Sequence, residues 1–129
     1  MEKRTTPDTF TDFSVHVAPS QNGGSEIAIF EELDLATEGH VNHAVDTVLE
    51  GSGPVVIDLR ACPFVDSRGI RVLVRAALRL REQDRTLVLR GVQARVRRIL
   101  DVAGLTTSDL LAVEPQPPAE PHKGDPAQD

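Results

Sequence analysis

Ser67 is the side chain best placed to do chemistry. It stands in Phe64-Val65-Asp66-Ser67-Arg68-Gly69-Ile70, a polar break directly ahead of an amphipathic run. A hydroxyl at that place is an N-cap candidate, because it can accept a hydrogen bond from a first-turn N–H. A serine nucleophile would need a base within reach, and no Gly-x-Ser-x-Gly elbow occurs. His40 and His43 lie three residues apart and could share a helical face with Asp46 or Thr47, but a metal site needs more ligands in a defined geometry. They read as a surface pair, and His16 and His122 stand alone. The single cysteine, Cys62, excludes an internal disulfide and reads as a small buried residue. No phosphate-binding or dinucleotide glycine fingerprint is present. The expectation is a protein that is not an enzyme and carries no cofactor and no metal.

Four arginines, Arg68, Arg71, Arg75 and Arg79, follow Ser67 at spacings of three, four and four. Like charges so placed are mildly destabilising in a helix. They read either as a surface for a partner or ligand, or as a solvated face partly balanced by Glu82.

The elements that must position Ser67 follow from periodicity. Phe13, Val15 and Val17 alternate with polar residues, as in a half-buried strand. The turn Asn22-Gly23-Gly24 leads to a second strand over 26–31, so the pair is expected to be antiparallel. Val41, Ala44, Val45, Val48 and Leu49 mark one face of a helix with Thr37 as candidate N-cap. Val55-Val56-Ile57 is an unbroken apolar run, as in a central strand covered on both faces. A second helix is predicted from Ser67 to about Glu82, with Ile70, Leu73, Val74, Ala77 and Leu78 inward. A strand over 86–90 comes next. A third helix through Val92, Val96, Ile99 and Leu100 closes at Gly104, and a short strand spans 110–113. The alternation predicts an α/β fold: one domain with a mixed sheet of four to five strands, helices packed on it and right-handed crossovers. Function in such sheets gathers at the carboxyl ends of strands, here the loops 31–37 and 60–69.

A chain of 129 residues has room for one such domain. Residues 1–11 read as a flexible arm, 12–113 as the domain and 114–129 as a disordered tail with five prolines. The net charge of −6 argues against direct nucleic-acid binding, and aromatic residues make up only 3%. The charge is uneven: residues 60–98 hold eleven Arg against Asp66, Glu82 and Asp84. No apolar run approaches membrane-spanning length and the first residues lack a secretory signal, so a cytoplasmic protein with no membrane partner is expected.

The stretch Val55-Val56-Ile57-Asp58-Leu59, followed by Phe64-Val65-Asp66-Ser67-Arg68-Gly69-Ile70-Arg71-Val72-Leu73, resembles the STAS domain of anti-sigma factor antagonists. So do Leu33-Asp34-Leu35-Ala36-Thr37 upstream and Leu100, Gly104 and Leu105 downstream; the likeness spans roughly residues 13 to 113. The resemblance implies a partner switch. The unmodified protein binds an anti-sigma factor that is also a serine kinase; phosphorylation of Ser67 releases it, and a PP2C-type phosphatase restores binding. Asp34, Asp66, Arg68, Gly69 and Arg71 are the partner-binding residues so implied. Gly69 either keeps bulk away from the serine, as a kinase would need, or permits close helix-to-strand packing. Glu31 and the turn Gln83-Asp84-Arg85 stand where the family usually has glycine, and Arg68 where a small residue is commoner. The alternative reading is a STAS-like ligand-binding or structural module of a stress-sensing or transporter complex.

Overall fold

A computed structural model of the chain describes residues 10–11, 14–20 and 23–115. Nine elements follow one another: β1 (Phe10–Thr11), β2 (Val15–Pro19), β3 (Ser25–Ile29), α1 (Glu38–Val48), β4 (Val55–Asp58), α2 (Ser67–Arg81), β5 (Leu87–Arg90), α3 (Ala94–Val102) and β6 (Ala112–Val113). The strands form one six-stranded sheet in chain order. The first three are antiparallel, and β3 through β6 are parallel. Five of the six are the predicted strands. The sixth is the two-residue β1, which pairs Phe10 with Val17 inside the stretch read as an arm. Phe13 and the tail beyond 115 lie outside the described residues.

Each parallel crossover steps to the next strand, and right-handed crossovers stepping the same way put their helices on the same face. The register agrees. Val17, Ile27, Ile57 and Leu89 lie side by side across β2 to β5, and all four are buried. Alternation turns Glu26, Val56, Asp58 and Arg90 to the opposite face. There Arg90 pairs with Glu26 at 2.9 Å and with Glu114 at 3.4 Å, and Arg60 pairs with Asp58 at 2.6 Å. Every residue of β4 is buried, as its unbroken apolar run predicts.

Helix α1 buries Val41, Ala44, Val45 and Val48, the predicted face. Helix α2 is rotated from the prediction: it buries Gly69, Val72, Leu73, Ala76, Ala77 and Leu80. Ile70 and Val74 are only partly covered, and Leu78 is 47% exposed. The cause is the small side chains. Gly69, Ala76 and Ala77 let the helix approach its neighbours closely, and larger apolar residues take the flank. Helix α3 closes as predicted at Gly104, whose φ is +80°. Leu105 N–H returns to Leu100 O at 2.9 Å and Gly104 N–H to Asp101 O at 3.0 Å, a Schellman closure with Leu105 buried against the core. Asp84 carries the turn after α2 at φ +60°, the left-handed conformation its short side chain tolerates.

Candidate functional site

The loops 31–37 and 60–69 meet through one backbone rung. Leu33 and Val65 form an isolated parallel bridge; Leu33 N–H donates to Phe64 O at 2.9 Å and Asp66 N–H to Leu33 O at 3.2 Å. Both leucine and valine are fully buried there. The rung brings Asp34 and Asp66, one residue beyond each partner, to the same end of the sheet.

Asp66, not Ser67, caps α2. Its Oδ1 accepts from Gly69 N–H at 3.0 Å, and its backbone is extended as a cap requires. Ser67 is therefore the first helical residue, and the capping role expected for it is corrected. A carboxylate competes well for this place because it meets the positive end of the helix dipole. The consequence is that the Ser67 hydroxyl is left over. It is exposed and bonds no other described residue.

Gly69 settles between its two readings on the side of packing. A Cβ on it would lie 2.5 Å from Leu33 O and 2.7 Å from Val65 Cγ1. It is buried, so it presses the first turn of α2 onto the rung and offers no surface to a partner. Asp34 is half-buried and shapes its own loop: Oδ1 accepts from Ala36 N–H at 3.0 Å, in an Asx turn. Thr37 stands at the N-cap of α1 as predicted, yet its hydroxyl serves the loop. It donates to Glu32 O at 2.6 Å and accepts from Asp34 N–H at 3.1 Å.

The arginine stripe divides. Arg68 reaches Glu38 at 3.5 Å and Arg79 reaches Asp46 at 2.9 Å, both on α1. Arg71 and Arg75 are exposed and make no ion pair with any described residue. Arg71 lies one turn beyond Ser67 on the same side of the helix.

The Cys62 thiol is buried and donates to Phe64 O at 3.4 Å. Burial raises its pKa, against the opposing hydrogen bonds, so it stays a protonated, inert thiol under the site. Among the described residues no three His, Cys, Asp or Glu side chains gather as a metal site. No helix among them is long and apolar enough to cross a membrane.

The family model described as "Mlab, STAS domain" matches residues 17–112. The chain belongs to the STAS-domain family. An anti-sigma-B factor antagonist of Listeria monocytogenes is 29% identical over 104 residues, covering 80% of this chain and 90% of that protein. One of Staphylococcus epidermidis is 30% identical over 89 residues, covering 68% and 81%. Among solved structures, an anti-sigma factor antagonist from Mycobacterium paratuberculosis is 26% identical with a TM-score of 0.65, covering 80% of this chain and 86% of that one. The unphosphorylated form of the anti-sigma factor antagonist SpoIIAA shares the fold at a TM-score of 0.62 and 12% identity, covering 81% and 90%.

In this STAS domain the surroundings of Ser67 include residues that sequence reasoning did not single out for function. Phe64, Ser67 and Ile70 form one wall of an open groove of about 480 Å³; Arg98, Ile99, Val102 and Ala103 of α3 and its cap form the other. Val102 is 87% exposed, and Leu35 on the Asp34 loop is 64% exposed. The available signal was Val102 itself, an apolar residue outside the Val96 and Leu100 stripe of its own helix.

Proposed function

We propose that the chain is an anti-sigma factor antagonist whose hold on its anti-sigma partner is set by phosphorylation of Ser67. Membership of the STAS-domain family and the relatives that are anti-sigma-B factor antagonists support the antagonist role. The observation that carries the switch is the spare hydroxyl: Asp66 caps α2, and Ser67 stands exposed beside it with no structural task. The reading assigns phosphate addition to an anti-sigma factor that is a serine kinase, and its removal to a PP2C-type phosphatase. It makes this chain a cytoplasmic binding partner, not an enzyme.

The physics is local. A phosphate brings about −1.5 to −2 charges and three acceptor oxygens. At the first residue of a helix it faces unpaired N–H groups and the positive end of the dipole, with Arg71 one turn away. Asp66 repels it, but the domain keeps its fold. A partner covering Ser67 must instead desolvate a dianion, which costs several kcal/mol, on the order of 2–5, when the charge is left unpaired.

With a cognate anti-sigma kinase and ATP, intact-mass spectrometry should show one added phosphate, and none on Ser67→Ala. Ser67→Asp should weaken partner binding by about thirtyfold or more with an unchanged melting temperature. Phosphate persisting on the alanine variant would refute the assignment.

A further inference from the structure

Ser67 and Arg71 stand four residues apart on α2, so their Cβ atoms lie about 6 Å apart on one side of the helix. Both are exposed, and Arg71 forms no ion pair with any described residue. The other charged groups around Ser67 are differently placed. Asp66 keeps its charge while accepting from Gly69 N–H, so it repels a phosphate on its neighbour. Arg68 is turned about 100° round the helix and reaches Glu38 on α1 at 3.5 Å. Arg75 lies about 12 Å further along the axis than Ser67. Arg98 belongs to the opposite wall of the groove, on α3.

We infer that Arg71 is the internal acceptor of the Ser67 phosphate: in the modified chain its guanidinium pairs with the phosphate along the helix and is withdrawn from the partner-binding surface. The inference rests on reading Ser67 as the phosphorylation site and names the residue that holds the added group. Direction and spacing select Arg71. Side chains on a helix lean toward its N-terminus, so Arg71 covers the turn that Ser67 begins. An anion four residues ahead of a cation is the favourable order for such a pair. A guanidinium also meets phosphate oxygens through two parallel N–H donors. Arg68 would have to leave Glu38 to do the same, and Arg98 would have to span the groove. The clamp gives the switch a second arm. Beyond adding charge, phosphorylation occupies a cation that the unmodified chain leaves free. A partner group that used Arg71 then competes with an anion tethered one turn away.

Phosphoserine placed at position 67 during translation of the full chain tests the clamp without any kinase. Phosphorus-31 NMR follows the second ionisation of the phosphate, which a nearby cation favours and so moves to lower pH. Arg71→Gln should raise that midpoint by about 0.2–0.4 pH unit, the size expected of one such helical pair. Arg75→Gln and Arg98→Gln should titrate with the parent. In nitrogen-15 spectra the Arg71 Nε–H signal should move with the midpoint of the phosphate, and should stay still over the same range in the unmodified chain. All three arginines are exposed, so each variant should melt with the parent. A midpoint unchanged by Arg71→Gln overturns the proposal, and so does an equal shift in Arg75→Gln or Arg98→Gln. No shift, with a cognate kinase still modifying Ser67, refutes the clamp and leaves the switch standing. The full shift in a chain whose Ser67 no cognate kinase modifies does the reverse.

Discussion

A carboxylate and a hydroxyl sit side by side at the start of α2, and which of them caps decides what the other is free to do. Asp66 takes the Gly69 amide at 3.0 Å, and Ser67 faces solvent. The residue pair was legible in the sequence, but the division of labour was not, because both types cap helices well and only backbone geometry chooses between them. Gly69 was equally ambiguous. A glycine beside a modifiable serine suggests access, whereas the space around it reports contact with Leu33 and Val65. Gly69→Ala is therefore expected to destabilise the domain by about 1–3 kcal/mol through overpacking. The melting temperature should fall by roughly 5–15 °C. A variant that melts with the parent would show that the loop yields, and would remove the packing role assigned to Gly69.

At the scale of elements, periodicity located every helix and five strands, since each buries an apolar set at its own repeat. Two features escaped it. Strand β1 is two residues long, too short to show alternation. The face of α2 is shifted by about one residue: Leu73 and Ala77 are inward as expected, but Gly69, Val72, Ala76 and Leu80 take the places expected for Ile70, Val74 and Leu78, because the small Gly69 and Ala76 let the helix come close. The misplaced residues are the informative ones. Val74 and Leu78 lie outside the buried face of α2, and so does Val102 on α3; together they leave a surface for something else to cover. The arginine stripe divides in the same manner. Its ends, Arg68 and Arg79, bind α1 to α2, and only the members between them are free for other work.

For the molecule as a whole, the sheet face opposite the helices is held by charge. Burial pushes the Asp58 carboxyl up and is the largest single influence on it. The hydrogen bonds from Arg60 and the charges of Arg60 and Arg90 together outweigh it and hold the pKa below the usual carboxylate range. A carboxyl lowered in the folded state adds stability above its unfolded pKa of about 3.9, and that stability is lost as the pH falls through the folded value. Asp58→Asn should therefore lower the urea midpoint near neutral pH, and the gap from the parent should close below about pH 4. A gap that stays constant into acid would remove Asp58 from the account. At the same carboxyl end of the sheet, the single rung between Leu33 and Val65 makes two loops into one mechanical object. Neither can open without the other losing its grip, so the amides of Leu33 and Asp66 should trade hydrogen for deuterium in step. They should stay in step after Ser67 is phosphorylated, and divergent rates would mean that the two rims of the switch move independently.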